Sequence, residues 1–345
     1  MDSFVLCVRD VSSDGKTFGS DIGPVSYLKI PTGNDLSIQT RPIPNLDNKI
    51  NSSDKWLNNI VRQAMPGGKP SSNNLDIVFF VHGYNTTPEE ALTRQRLVEK
   101  NLNARGFQCM VIGFDWPTAG TPALYEYDRF EAQKAASLLV TEGILPFINY
   151  TVKNCPINVH LMAHSMGAFV VREAFRAVDK GRNSDLANDW RIGQLVLFGA
   201  DVSSNCFKLG DKDMTPIFNH CGRLTNYFSG YDEALAVSNL KNIDISSRVG
   251  RVGIPKDSLK DNIAIDVNCG PRYKTIDEDK REQFQYINGM VSHSWYLEDD
   301  IWNDDLAFTL KGALDRYLIP TRLRVQNNDN DFVLKSDVDY VKPSD

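Results

Sequence analysis

The sequence predicts an α/β fold in which a mostly parallel central sheet carries helices on both faces. From residue 76 onward, short apolar segments of strand length alternate with amphipathic helical patterns, and repeated βα units of this kind favour a parallel sheet. Several of these segments are apolar on consecutive residues, which is typical of strands covered on both faces. The 345 residues, 41% of them hydrophobic, are enough to bury a large core.

The polarity of the chain changes near residue 75, and the sequence divides into three parts. Residues 1–75 form an N-terminal accessory segment with two short strands (4–9 and 25–30), a helix (55–64) and a linker rich in Pro, Gly and Ser from residue 66. Residues 76–320 form the main domain. Residues 321–345 form a polar C-terminal tail, in which residues 332–334 are able to pair as an edge strand.

The main domain begins with a strand at 76–82 and a helix at 87–105, with Thr87 as N-cap, Pro88 in the first turn and Glu90 closing a capping box. A strand at 109–114 precedes a long helical pattern at 125–147, and a strand at 157–163 precedes another helix. Further strands are predicted at 194–199, 224–229 and 263–267. The last helix places five residues on one face: Leu306, Leu310, Ala313, Leu314 and Tyr317.

Composition excludes several classes of function. The 38 basic and 44 acidic side chains give a net charge of −6, so no basic excess is present to bind nucleic acid. No apolar run reaches the ~18 residues of a transmembrane helix, and the first residues lack the basic leader of a signal peptide. We therefore expect a soluble, cytoplasmic protein whose six scattered cysteines are reduced and form no zinc or thioredoxin-like motif. The oligomeric state is left open.

The segment Ala163-His164-Ser165-Met166-Gly167 is the most informative part of the sequence. It ends a predicted strand and begins a predicted helix, which is the context of a nucleophile elbow. Such a turn is so sharp that small residues are needed two positions before and after the serine, as Ala163 and Gly167 provide. Ser165 is therefore the candidate nucleophile, and the alternative is a strand-end serine that caps the helix.

A second loop follows the first strand of the main domain, with the sequence His82-Gly83-Tyr84-Asn85. Acyl transfer creates an oxyanion, and backbone N–H groups are rigid donors for it. We expect one donor from Met166 and a second from Tyr84 or Asn85, with His82 and Gly83 supporting the loop. The alternative is an ordinary glycine turn between a strand and a helix.

The serine needs a general base, and the chain has only five histidines. His82 and His164 belong to the two loops already described, and His160 lies inside a strand. His293 is predicted to lie in a loop between the last strand of the main domain and the last helix, where the base of such a site is expected. His220 is the less favoured alternative, and the spacing of His160 and His164 on a strand does not suggest zinc.

The imidazole needs a carboxylate that fixes its tautomer, and two aspartates end predicted strands. Asp232 is favoured because it follows the later strand and because Gly230 provides a turn before it. Asp201 is the alternative acid, and the aspartate that does not serve is expected to cap a helix or make structural hydrogen bonds. The resulting order is Ser165, Asp232, His293.

With these motifs the chain resembles the α/β-hydrolase superfamily, and more narrowly a bacterial esterase/lipase-like branch. The resemblance rests on motifs in the same order: His82-Gly-Tyr-Asn85, Asp115-Trp-Pro-Thr118 with Gly120, Tyr127-Asp128, Ala163-His-Ser-Met-Gly167, Ala200-Asp-Val202, Ser229-Gly-Tyr-Asp-Glu-Ala-Leu235, Arg248-Val-Gly250 and His293-Ser-Trp-Tyr296. It implies an α/β-hydrolase fold and a hydrolase with its catalytic domain at 76–320, but it supplies no substrate. A small-molecule or lipid-like ester is expected from the proposed chemistry. The chain departs from this pattern at Thr118, where a serine is usual, and in both terminal parts.

The leading hypothesis is a serine hydrolase that cleaves carboxylic esters through a Ser-His-Asp triad and an acyl-enzyme, a mechanism that requires neither metal nor organic cofactor. The alternatives are a lipase or phospholipase, a thioesterase or amidase, an acyltransferase, and a non-catalytic binding module. The short segment 203–221 predicts no large lid there, although residues 1–75 could cover a pocket. Trp116 and Tyr127 fit packing at the sheet edge better than substrate contact.

Overall fold

The structure, a computed structural model, divides into two compact units that are described separately. It describes residues 1–13, 15–32, 46–66, 74–118, 125–154, 157–180, 190–241, 247–260, 264–284, 290–312, 316–326 and 329–340. The first unit consists of Met1–Lys100 and Gln108–Gly193, and the second of Asn101–Phe107 and Gln194–Asp345. Most of the predicted linker after residue 66, Gly120 of the second motif, and Ala313 and Leu314 of the last helical face lie outside the described residues.

The described residues of the first unit form a six-stranded, mostly parallel sheet. Its strands are β1 (Ser3–Val11), β2 (Phe18–Ile30), β3 (Lys49–Ile50), β4 (Asp76–Val81), β5 (Cys109–Asp115) and β6 (Val159–His164), in the order β6-β4-β5-β1-β2-β3. Strands β6, β4, β5 and β1 are parallel, whereas β2 and β3 are antiparallel to their neighbours. The N-terminal segment therefore extends the parallel sheet through β1, which is buried over its first seven residues.

The helices of the first unit follow the predicted pattern with one refinement. They are α1 (Ser53–Ala64), α2 (Pro88–Ala104), α3 (Tyr125–Leu138), α4 (Leu145–Asn154) and α5 (Gly167–Lys180). The capping box of α2 is confirmed, because Glu90 N donates to Thr87 Oγ1 and Thr87 N donates to a Glu90 carboxylate oxygen. The single pattern at 125–147 is α3 and α4 joined by a π-helical segment, Leu139–Ile144.

The second unit carries the remaining strands, the first of which begins two residues earlier, at the end of the first unit. They are β7 (Ile192–Phe198), β8 (Cys221–Phe228), β9 (Ala264–Asn268), β10 (Arg322–Arg324) and β11 (Asp331–Leu334), in the order β7-β8-β9-β11-β10. Strands β8, β9 and β11 are parallel, and β10 is antiparallel to β11. The residues around 332 form a strand as expected, but the edge position belongs to β10, because both sides of β11 are paired.

The helices of the second unit are mostly short. They are α6 (Thr215–His220), α7 (Glu233–Lys241), α8 (Val249–Val252), α9 (Gly270–Thr275), α10 (Glu278–Glu282), α11 (Val291–Ser294) and α12 (Asp300–Lys311). The predicted last helix ends earlier than its apolar pattern suggested. Gly312 has a left-handed φ of 62° and terminates α12, so Tyr317 lies in a separate 3₁₀ turn, Arg316–Leu318.

Strands and helices alternate through most of both units, and the predicted α/β fold class is confirmed. Within the described ranges, no helix combines the length and apolar composition that a membrane span requires. The five described cysteines are buried, and Cys155 lies outside the described residues.

Candidate active site

The turn at Ser165 has the geometry of a nucleophile elbow. Strand β6 ends at His164 and helix α5 begins at Gly167, so the reversal is completed within two residues. Ser165 has a φ of 54°, one of two positive φ values among the non-glycine residues that the structure describes. A left-handed backbone is strained for a serine and persists only where its surroundings impose it, which points to function at this position.

Close packing explains the small residues around this serine. A Cβ added at Gly167 would lie 2.5 Å from Val81 O and 2.6 Å from His82 O, so any side chain would collide with the end of β4. A Cβ at Gly83 would lie 2.8 Å from Ser165 Cβ. The two glycines therefore allow the elbow and the loop after β4 to approach each other closely.

The loop after β4 contains the second described non-glycine residue with a positive φ, Asn85, whose φ is 50°. Asn85 is exposed, Tyr84 is half-buried, and Met166 on the elbow is fully buried. Tyr84 Oη is buried and has no hydrogen-bond partner among the described residues. Burial and the nearby Asp128 carboxylate raise the pKa of Tyr84 to about 12, so the phenol keeps its proton at neutral pH.

His82 is a buried structural residue of this loop and is bound to the Asp-Trp motif that ends β5. Its Nε2 lies 3.1 Å from Asp115 Oδ1, and the Trp116 indole N–H donates to His82 O at 2.9 Å. The two rings stack at 5.5 Å with an angle of 8°. Burial lowers the pKa of His82 despite the nearby carboxylate, so the ring is neutral at neutral pH. Trp116 is fully buried, which fits the packing role expected for it.

Two further residues contact the same loop, and the sequence interpretation gave neither of them a role there. Arg9 on β1 makes a 2.8 Å ion pair with Asp115, and its second nitrogen donates to Thr86 O at 2.9 Å. Thr118 Oγ1 accepts from Thr86 N at 3.2 Å and donates to Thr86 O at 3.1 Å. The sequence signal for Arg9 was weak, because it directly follows the apolar run Phe4–Val8 and is itself followed by a second charged residue, Asp10.

In the second unit, His293 and Asp232 lie together. His293 Nδ1 is 2.7 Å from Asp232 Oδ2, and the Asp232 side chain is fully buried while that of His293 is 12% exposed. The other carboxylate oxygen of Asp232 accepts from Leu235 N at 2.9 Å and so caps α7. One carboxylate therefore both orients the imidazole and is held in place by a helix N-terminus. The short helix α11, rather than a loop, carries His293.

Gly199 lies beside the His293 ring, and Ser292 helps to position the helix that carries it. Gly199 has a φ of 53°, and a Cβ added there would lie 3.2 Å from both Cε1 and Nδ1 of His293 and 3.4 Å from Asp232 Oδ2. Ser292 Oγ accepts from Glu233 N at 3.3 Å and ties α11 to the start of α7. Gly199 was not singled out from the sequence, although a glycine directly after a strand is a recognisable signal.

The remaining candidates make other contacts. Asp201 forms a buried ion pair with Arg248, with Nε and Oδ1 3.1 Å apart. His160 is on strand β6, and its Nε2 lies 3.5 Å from Oδ2 of Asp76 on β4. His220 is buried at the end of α6. Among the residues that the structure describes, no three His, Cys, Asp or Glu side chains are grouped to hold a metal ion.

Comparison with known proteins gives one family match and weaker structural similarities. Residues 59–287 match the family model described as "Alpha/beta hydrolase of unknown function (DUF900)". The fold is similar to carboxyl esterase 2 from the mycorrhizal fungus Tuber melanosporum, at 14% identity over 72% of this chain and 80% of that one, with a TM-score of 0.35. It is also similar to a Pyrobaculum calidifontis esterase, at 14% identity over 60% of this chain and 73% of that one, with a TM-score of 0.30. The chain matches none of the curated proteins with which it was compared.

Proposed function

Since the chain belongs to the family of alpha/beta hydrolases of unknown function (DUF900), we propose that it is a serine hydrolase that cleaves carboxylic esters through an acyl-enzyme. The observation that carries the proposal is the backbone of Ser165, whose φ of 54° is held between β6 and α5 in the first unit. A serine that only capped a helix would adopt an extended backbone and would not need this strain.

In the proposed reaction, Ser165 Oγ attacks the acyl carbon of the ester and gives its proton to His293 Nε2. The tetrahedral intermediate collapses when the imidazolium returns that proton to the leaving alcohol. The acyl-enzyme is then attacked by water, which His293 deprotonates in the same way, and the carboxylic acid and free Ser165 are released. Backbone N–H groups of Tyr84 and Met166 stabilise the oxyanion in both steps.

The contact between Asp232 and His293 supports these roles. A proton on Nδ1 donates to Asp232 Oδ2 at 2.7 Å, which leaves Nε2 unprotonated and able to accept the serine proton. The buried carboxylate also stabilises the imidazolium that forms during the reaction. Asp201 is a weaker candidate for the acid because its carboxylate is paired with the Arg248 guanidinium in a buried site.

The preferred substrates are proposed to be modest small-molecule esters. Residues 203–221 contain a 3₁₀ turn, Ser204–Phe207, the six-residue helix α6 and the first residue of β8. A segment of this size supports no large lid of the kind that covers the site in lipases acting at interfaces, so short acyl chains are favoured over long ones.

The test is hydrolysis of a series of p-nitrophenyl esters from acetate to palmitate. We expect turnover by the wild type that is greatest for the short esters and is lost in Ser165→Ala. Ser258→Ala is the matched control, because it removes a serine hydroxyl that has no hydrogen-bond partner among the described residues. Equal turnover in Ser165→Ala and wild type, or no turnover of any ester, would overturn the proposal, the latter outcome favouring a binding module.

A further inference from the structure

A buried charged network lies beneath the loop of residues 82–86, here called the oxyanion loop. Arg9 and Asp115 form its centre, and each side chain is only 3% exposed. Burial raises the pKa of the Asp115 carboxyl, but the Arg9 charge and the contacts of His82 outweigh it and hold that pKa below its ordinary value. The network is therefore a true ion pair at neutral pH.

The network holds the oxyanion loop at both ends. At the first end, Asp115 Oδ1 lies 3.1 Å from His82 Nε2. At the second end, Arg9 Nη2 donates to Thr86 O, and Thr118 Oγ1 binds both backbone polar groups of Thr86. Tyr84, the proposed oxyanion donor, lies between these two anchored ends.

The loop adopts a left-handed backbone directly before its second anchored end. Asn85 has a φ of 50°, which asparagine tolerates better than most side chains, and the bonds to Thr86 fix the residue that follows it. A buried ion pair is also a poor source of net stability, because desolvation offsets most of its attraction and an apolar pair would serve equally well. The contacts of the pair with His82 and Thr86 are what an apolar pair would not supply.

The geometry points to Arg9 as a positioning residue that sets the oxyanion loop in its active conformation through Asp115 and Thr86, and this inference rests on the proposed hydrolase function. Arg9 is outside the residues matched by the family model, which begins at residue 59. The N-terminal segment thereby acquires a role in the reaction, because its first strand, β1, pairs with β5 and brings Arg9 against the end of that strand.

Two variants test the inference on the full chain. Arg9→Lys keeps the positive charge beside Asp115 but loses the forked geometry that reaches Thr86 as well. Thr118→Val keeps the shape of the side chain and removes both bonds to Thr86. For each variant we expect kcat for p-nitrophenyl acetate to fall about tenfold with KM within about twofold, because a displaced oxyanion donor acts on the transition state.

Matched controls separate positioning from folding. Thr118→Ser retains the hydroxyl and should keep wild-type kcat. Arg96→Lys alters another arginine that ties β1 to α2, through Ser3 Oγ at 2.7 Å, without contacting the oxyanion loop, and should also keep wild-type kcat. Circular dichroism melting curves establish that each variant is folded.

The outcomes distinguish this inference from the proposed function. If wild type hydrolyses the ester and Ser165→Ala does not, but Arg9→Lys and Thr118→Val keep kcat within twofold of wild type, the positioning role alone is refuted. If Arg9→Lys fails to fold, the Thr118 pair decides: equal kcat in Thr118→Val and Thr118→Ser overturns the inference. If Ser165→Ala is as active as wild type, both proposals fall.

Discussion

Replacing Gly199 with alanine perturbs the proposed catalytic base without touching the base itself. The added Cβ would lie 3.2 Å from Cε1 and Nδ1 of His293 and 3.4 Å from Asp232 Oδ2, tighter than ordinary van der Waals contact at the ring. Asp232 is confined because it also caps α7 through Leu235 N. The imidazole therefore has to yield by a few tenths of an ångström, and its 2.7 Å contact with Asp232 lengthens or bends.

The substitution has two separable effects. The φ of 53° at Gly199 is strained for alanine, which costs about 1 kcal/mol of stability. The displaced imidazole lowers kcat by about tenfold, since misplacement of a catalytic group by 1 Å costs about a hundredfold. Gly210→Ala is the matched control, because Gly210 has a φ of 84° but nothing within 4 Å of an added Cβ.

The assay compares kcat for p-nitrophenyl acetate and the urea unfolding midpoint in both variants. We expect similar losses of stability in Gly199→Ala and Gly210→Ala but a loss of kcat in Gly199→Ala alone. If the two variants have the same kcat, the close contact with His293 has no bearing on the reaction, and the reasoning about the base is refuted.

Three further predictions test other parts of the structure. Asp232→Asn should lower kcat about 10³-fold or more. Asp201→Asn should keep kcat but lower the melting temperature, because the substitution leaves the Arg248 cation buried without its charged partner. The reverse pattern would assign the acid to Asp201. Gly167→Ala should cost about 3 kcal/mol of unfolding free energy by urea titration, because its Cβ would lie 2.5 Å from a backbone oxygen, and a loss under 1 kcal/mol would contradict the packing at the elbow. Burial raises the pKa of Asp266 to about 7, so the free energy of unfolding should fall by about 4 kcal/mol as the pH rises from 4 through 7. Urea titrations at pH 5 and 8 should show this loss in the wild type but not in Asp266→Asn. An equal loss in both proteins would show that Asp266 ionises normally.

Local chemistry explains why the elbow could be predicted from the sequence. The turn from β6 into α5 is determined within five residues, and the demand for a small residue at Gly167 arises from the strand that ends beside it. The capping box of α2 is equally local, since Thr87 and Glu90 satisfy each other's backbone N–H groups. Patterns that span only four or five residues can therefore be interpreted from the sequence alone.

Contacts between distant segments could not be read in the same way. The pairing of Arg9 with Asp115 depends on β1 lying beside β5, which no periodicity indicates. The sequence also contained no indication that Arg248 pairs with Asp201, and this pair is the physical reason for proposing Asp232 as the acid. Gly312, whose left-handed backbone ends α12, was a local sequence signal for the end of that helix. It was overlooked because apolar residues continue the helical pattern after it.

The most direct test of the proposed function is covalent labelling of the full chain with a fluorophosphonate probe, followed by mass spectrometry of the intact protein and its peptides. The probe reports the activated serine without any assumption about the substrate. We predict one adduct per chain, on the peptide that contains Ser165, with no adduct in Ser165→Ala and slow labelling in His293→Ala. An adduct on another serine, or equal labelling of Ser165→Ala and wild type, would contradict the assignment of Ser165 as the nucleophile.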